Sequence, residues 1–216
     1  MCGRFALESS SEAIEEYLGS EAPGGFISRY NIAPTTPVLA KTESRLTFFR
    51  WGLVPSWAKE ISIGHRMFNA RAETVMQKPS FKNAFKRRRC LVPASGFYEW
   101  HAELGHKQPY FCHINHQLFC FAGIWERWQD ASGNELQTCA ILTTAAVGDL
   151  SRIHERMPVV IRDEDHADWL NHEDEITSGA LDCMSRLNAE FEIYPVSTLV
   201  NAARNDSSEL IKVLET

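Results

Sequence analysis

Cys90-Leu91-Val92-Pro93-Ala94-Ser95-Gly96-Phe97-Tyr98-Glu99-Trp100-His101 is the stretch from which the fold is read. Two short runs of aromatic and branched residues, Cys90–Pro93 and Gly96–His101, are parted by small residues, which is the composition of neighbouring strands. The reading continues downstream through Tyr110–His113, Leu118–Trp125 and Leu136–Thr144, separated by polar turns such as Asp130-Ala131-Ser132-Gly133-Asn134. Connections this short imply antiparallel pairing. Upstream, Val38–Lys41 and Leu46–Trp51 are strand-like as well. Ser9-x-x-Glu12 forms a capping box ahead of the apolar stripe Ala13, Ile14, Tyr17 and Leu18, so a helix is expected over Ser10–Leu18, ended by Gly19.

Helical patterning returns after Pro79. The final third mixes helices at about Glu164–Leu170, Ala180–Leu187 and Ser207–Leu214 with strands at Val159–Ile161 and Phe191–Val196; Asp206-x-x-Glu209 is a second capping box. No linker, repeat or low-complexity stretch divides the chain. Residues 1–216 are therefore expected to form one α+β domain, with a curved, barrel-like antiparallel β-sheet core and peripheral helices.

Composition narrows the function. At 216 residues, 44% hydrophobic and 23% charged, the chain is an ordinary globular one. Its longest apolar runs are strand-sized and its N-terminus lacks the basic-then-apolar pattern of a signal peptide, so no membrane is expected and the location is cytoplasmic. The net charge of −6 argues against holding nucleic acid by bulk electrostatics. A local basic site stays open: Lys78, Lys82, Lys86, Arg87, Arg88 and Arg89 follow Arg66 and Arg71, a run that reads as a solvated helix face or as the positive rim of a phosphate-binding cleft. Six cysteines lie far apart without a C-x-x-C, as expected of reduced thiols. Cys112, His113, His116 and Cys120 crowd together, yet no second pair completes a ligand spacing, so neither a metal nor a cofactor is expected.

The chemistry-bearing residues begin with Cys2. Trimming of Met1 would leave a terminal amine, whose pKa of about 8 keeps a useful fraction neutral, beside a thiol. Amine and thiol together convert an aldehyde to an imine and then to a five-membered thiazolidine. Glu99 sits mid-strand among aromatics, with Phe97 and His101 on its face and Tyr98 and Trp100 on the other. A desolvated carboxylate there suits proton transfer near neutral pH, whereas an arginine partner would make it structural. In Phe68-Asn69-Ala70-Arg71-Ala72-Glu73, Asn69 offers a donor and an acceptor and Arg71 a forked phosphate clamp. His154, just before a proline-marked break, can exchange protons at physiological pH.

Seven motifs, in order along almost the whole chain, carry a family resemblance: Cys2-Gly3-Arg4-Phe5, Arg29-Tyr30-Asn31-Ile32-Ala33-Pro34, Trp51-Gly52-Leu53-Val54-Pro55-Ser56-Trp57, Asn69-Ala70-Arg71-Ala72-Glu73, Gly96-Phe97-Tyr98-Glu99-Trp100, His154-Glu155-Arg156-Met157-Pro158 and Pro195-Val196-Ser197. The chain resembles the SOS response-associated peptidase family, whose members shield abasic sites in single-stranded DNA by covalent attachment. The match is looser at Val200–Asn205. The resemblance implies that Cys2 is the nucleophile, that Asn69 positions the sugar and thiol, that Glu99 moves protons and that His154 assists opening of the sugar ring. It also implies phosphate contacts from Arg4, Arg71 and Arg156 with help from Lys78, and a base stacked on or wedged by Trp57. A lyase-like cross-linking activity, a cysteine-type peptidase activity that frees Cys2, and action on nucleoid DNA follow from the same resemblance, with no obligate protein partner inferred. Two other classes compete: an N-terminal-nucleophile amidohydrolase, which needs no basic groove, and a single-strand binding module, which would not need Cys2.

Overall fold

In a computed structural model, residues 2–103, 105–172, 178–186 and 190–214 are described. The strands are β1 (Phe5–Leu7), β2 (Arg29–Ile32), β3 (Pro37–Lys41), β4 (Leu46–Trp51), β5 (Asn69–Arg71), β6 (Arg89–Ala94), β7 (Gly96–Glu103), β8 (His106–His113), β9 (Phe119–Gln129), β10 (Glu135–Ala145), β11 (Arg156–Pro158), β12 (Val160–Ile161) and β13 (Glu192–Pro195). The α-helices are α1 (Ser11–Leu18), α2 (Lys82–Arg87), α3 (His166–Leu170) and α4 (Ser178–Ser185). Among the described residues no helix is long and apolar enough to cross a membrane.

Strands β10, β4, β3, β6 and β9 pair in that order, and β9 pairs back onto β10, closing a small barrel. The second sheet runs β13-β8-β7-β1-β2. Between the two, edge-on aromatic contacts form the core: Phe5 meets Trp51 and Phe121 at 5.2 and 5.6 Å, and Phe97 meets Phe121 and Phe191 at 6.0 and 5.2 Å. The hairpin-linked runs pair antiparallel, as their short connections require. The exceptions are β4 and β5, which lie parallel to β10 (Cys139↔Trp51, Ile141↔Asn69) and depart from the expected all-antiparallel core. No hairpin joins either strand to β10, so nothing local dictates their direction, and end to end they line one edge of β10.

Two close approaches explain glycines in the motifs. A Cβ on Gly96 would lie 2.2 Å from the Phe111 ring, and one on Gly52, at φ +133°, would lie 2.6 Å from the Gly64 carbonyl oxygen. The first lets β7 pass under Phe111; the second pins the loop that carries Trp57.

Some helix ends differ from their sequence reading. The N-cap of α1 is Ser10, whose hydroxyl accepts the Ala13 N–H at 3.2 Å, so the Ser9–Glu12 box is not formed. Gly19 ends the helix in the left-handed conformation as expected. Over Ser207–Leu214 only a single 3₁₀ turn, Ser208–Ile211, appears. Asp206 does not cap it: its carboxylate accepts from the Tyr30 N–H at 2.6 Å, the Asn31 N–H at 3.1 Å and the Arg29 guanidinium, tying the C-terminal segment to β2. Leu187, the expected end of the fourth helix, lies outside the described residues.

The basic run divides by burial. Lys78, Lys82, Lys86 and Arg87 are exposed, Arg88 pairs with Glu126 at 2.6 Å, and Arg89 is buried. The Arg89 guanidinium donates to the carbonyls of Trp169 (2.6 Å), Phe85 (2.8 Å), Lys86 (3.3 Å) and Asn171, joining α2 and α3 to β6. Arg89→Met leaves those carbonyls without their donor and is expected to cost about 3 kcal/mol, within the range for losing buried charge-assisted bonds. Urea unfolding measures it; a loss below about 0.5 kcal/mol would show that the guanidinium is dispensable.

Candidate active site

The chain's first residues are carried by β1, which pairs antiparallel with β7 (Phe5↔Phe97, Ala6↔Gly96). The Tyr98 N–H donates to the Arg4 carbonyl at 2.9 Å, extending the ladder toward Cys2. Alternation on β7 then turns Phe97 and Glu99 toward the main core and Tyr98 toward a smaller cluster with Ala6, Phe111, Val196 and Val200. Cys2 has no exposed surface. The Asn69 side-chain amide donates to the Cys2 carbonyl at 2.7 Å, while its own Oδ1 is buried without a partner among the described residues. Asn69 opens β5, so the parallel β5–β10 pairing delivers it here.

Above these residues lies a cavity of about 420 Å³ lined by Arg4, Glu99, Trp100, Lys107, His154 and Asn201. The four expected catalytic residues, Cys2, Asn69, Glu99 and His154, therefore converge from four separate segments. Another cavity, of about 360 Å³ between Leu7, Phe26, Ile32, Val38 and Phe48, has no carboxylate, histidine or thiol in its lining.

The electrostatics are set by burial. Desolvation raises the Glu99 carboxyl above the ordinary carboxylate range, and the charge of His154 opposes this. Burial first, then the charge of Glu99, pushes the Cys2 thiol well up. The sulfur is thus held as a thiol and must hand on a proton as it attacks, with Glu99 as its nearby carboxylate. His154 Nδ1 lies 2.9 Å from the Arg156 nitrogen and 3.2 Å from the Arg156 carbonyl oxygen, so the backbone of β11 holds the ring at the cavity wall.

The arginines expected to meet phosphate are not equally available. Arg4 donates to Asn31 Oδ1 at 2.7 Å and to the Val200 carbonyl at 2.9 Å. Arg156 forms a forked pair with Glu73 at 2.6 and 2.9 Å and donates to the Thr143 carbonyl at 2.6 Å; this pairing holds the Glu73 carboxyl down at about 2. Arg71 is exposed at the end of β5, on the other side of β10 from Arg156. Trp57 is 61% exposed on the loop after β4, and neither it nor Lys78 lines the cavity.

Asn31, Trp100, Lys107 and Asn201 were not singled out from the sequence. Asn31 donates to the carbonyls of Val200, Ala202 and Asn205, and Trp100 donates its indole N–H to Asn201 at 2.7 Å, so the loosely matching tail forms a wall of the cavity. The signal for Asn31 was its place in an otherwise apolar motif; Lys107 and Asn201 had none.

The crowded Cys112, His113, His116 and Cys120 come apart in space. Cys112 faces Cys2 and Glu99, and Cys120 lies against Tyr17. His113 and His116 instead meet Glu192, with donor atoms within 4.8 Å of one another. The His113 Nδ1 accepts the His116 N–H at 3.2 Å, so the neutral ring keeps its proton on Nε2, the nitrogen facing Glu192, a form unsuited to ligating there. All six cysteines are free and buried.

The fold and the converging cysteine, asparagine, glutamate and histidine define a class. The chain belongs to the SOS response associated peptidase family, whose model matches residues 1–203. It is 40% identical to the abasic site processing protein YoqW of Bacillus subtilis (strain 168), over 98% of this chain and 99% of that one. It is 36% identical to the abasic site processing protein HMCES of Gallus gallus, over 81% of this chain and 59% of that one. A crystal structure of a protein from Bacteroides thetaiotaomicron shares the fold, with a TM-score of 0.86 at 23% identity, covering 99% of this chain and all of that one. A phage-related protein from Bordetella bronchiseptica aligns with a TM-score of 0.72 at 31% identity, over 90% and 94% of the two chains.

Because the folded state favours the protonated Glu99 carboxyl, ionising it costs stability as pH rises from the ordinary value of 4.5 through the raised one. Glu99→Gln is therefore expected to raise the melting temperature at pH 8, with the gain shrinking toward pH 4, where the carboxyl is protonated in both states. Thermal unfolding across that range tests it; an equal or lower melting temperature at pH 8 would show that Glu99 is stabilised as a carboxylate.

Proposed function

We propose that this protein processes abasic sites in DNA, by covalent attachment of Cys2 to the lesion in a single strand. The observation that carries the reading is the convergence of Cys2, held through its carbonyl by Asn69, with the buried Glu99 beneath a cavity that also holds His154. Once Met1 is removed, the Cys2 nitrogen is an amine that attacks C1′ of the ring-opened sugar and expels water to form an imine. The thiol then adds across the C=N bond: sulfur bonds to C1′, the thiol proton leaves by way of Glu99, and the nitrogen is reprotonated, so the net change is the loss of one water. His154 promotes opening of the sugar hemiacetal by proton exchange with it. Asn69 Oδ1 accepts from the sugar or the amine.

Arg71, Lys78, Arg4 and Arg156 take the phosphates and Trp57 a base, with Arg156 exchanging part of its Glu73 pairing for a phosphate oxygen. The peptidase activity in the family's name supplies the freed Cys2 by removing Met1. With such a substrate the protein acts on the nucleoid, within the cytoplasm.

The trimmed protein is expected to form a heat-stable adduct with a single strand carrying an abasic site and none with an intact strand, as read on denaturing gels. Cys2→Ala keeps the amine but cannot close the ring, so its adduct should need borohydride to survive; equal adducts on both DNAs, or a spontaneously stable Cys2→Ala adduct, would sink the thiazolidine. Glu99→Gln should slow single-turnover cross-linking by roughly 10²-fold, the low end for general acid–base catalysis, while intact-strand affinity changes little. An unchanged rate would pass the proton transfer to another group.

A further inference from the structure

A cavity of about 270 Å³ opens between the turn joining β3 to β4, the C-terminal half of β9 and the residues after α3, and it shares no lining residue with the reaction cavity. Three guanidinium groups line it, Arg45, Arg87 and Arg127, against the single carboxylate of Glu43. All three keep donors to spare. Arg45 gives one bond to Gln137 at 3.2 Å, Arg127 has its nearest carboxylate, Glu135, at 3.9 Å, and Arg87 has no ion pair among the described residues. Their neighbours Arg88 and Arg89 spend their donors within the protein, on Glu126 and on backbone carbonyls, so the free guanidinium donors are those that line the cavity.

The apolar side of the cavity adds a second observation. Trp125 stacks on Phe49 at 5.2 Å and lies under the Arg127 guanidinium at 5.7 Å. With the indole engaged by both, its remaining handle is the Nε1–H, which is buried and has no partner among the described residues. Nδ1 of His172, on another lining residue, is in the same condition. Burial, and then the nearby Arg89 and Arg88, hold His172 down at about 4, so it enters as a neutral hydrogen-bonding group. One forked guanidinium satisfies a carboxylate; three of them lining one cavity beside a neutral N–H fit an anion with more than one charge and several acceptor oxygens. We propose that this cavity is a phosphoryl-binding site, separate from the reaction cavity, taking the phosphate of a free nucleotide or polyphosphate, or a backbone phosphate of a bound strand.

The proposal does not depend on the cross-linking reading. Its test is titration of the ¹⁵N-labelled full chain with pyrophosphate and, separately, with an intact single strand, following the Trp125 indole resonance assigned by its loss in Trp125→Phe. Pyrophosphate is expected to move that resonance saturably, and Arg45→Ala to weaken the response about tenfold while keeping the wild-type melting temperature. If the strand moves it and pyrophosphate does not, the phosphate is a backbone one; if pyrophosphate suffices, the site takes a free phosphoryl group. Silence toward both probes, the same shift from chloride at matched ionic strength, or an undiminished response in Arg45→Ala would overturn the site.

Discussion

The pairing of β1 with β7 is the constraint on which the rest of the molecule depends. Cys2 lies just outside β1, so the register Phe5↔Phe97 brings it to Glu99, and the Asn69 amide then holds its carbonyl. A slip of one residue would turn every side chain of β1 to the opposite face and part the thiol from the carboxyl. The register is guarded sterically: only glycine fits at position 96, beneath the Phe111 ring, and Phe5 is wedged between Trp51 and Phe121. The other edge of β1 is held as firmly, since β2 pairs with it and Asn31 ties Arg4 to the C-terminal segment.

This arrangement concentrates electrostatic cost at the point of use. A carboxyl and a thiol are buried close together, and the charge of Glu99 disfavours ionisation of Cys2. In water the pair would exchange protons with solvent; here Cys2 has no exposed surface, and Glu99, which lines the cavity, is its nearby carboxylate. The surrounding cations do not simply neutralise the site. Arg4 is spent on Asn31 and the Val200 carbonyl and Arg156 on Glu73 and the Thr143 carbonyl, so both brace the segments around the site. Among the cations with donors to spare in this chain of net charge −6, Lys107 lines the reaction cavity, Arg45, Arg87 and Arg127 line the second one, and Arg71 and Lys78 are exposed outside both.

Much of this was readable beforehand, and the failures have a common cause. Strands β3, β4, β6, β7 and β9 were legible because half-buried strands alternate and fully buried ones run apolar, both local patterns. The reading of Asp206 as a helix cap failed because its acceptors found better donors, the N–H groups of Tyr30 and Asn31, far away in sequence. Arg89 fits neither expected role of the basic run, solvated helix face or phosphate rim, since burial against four carbonyls is invisible in a run of like charges.

The sequence by itself determined the α+β class, the strand spans, the facing of Glu99 with Phe97 and, through its ordered motifs, the family and the residues to inspect. Those features rest on side-chain alternation, on backbone preferences of single residues and on motif order, all of which are written in the linear string. Only the tertiary structure decided the closure of β9 on β10, the parallel course of β4 and β5 that brings Asn69 to Cys2, the commitment of Arg156 to Glu73, and the regrouping of His113 and His116 with Glu192. Each of these is a choice of partner between segments distant in the chain. Such a choice is made by which groups can approach within hydrogen-bonding distance once water is excluded, a quantity no local pattern contains.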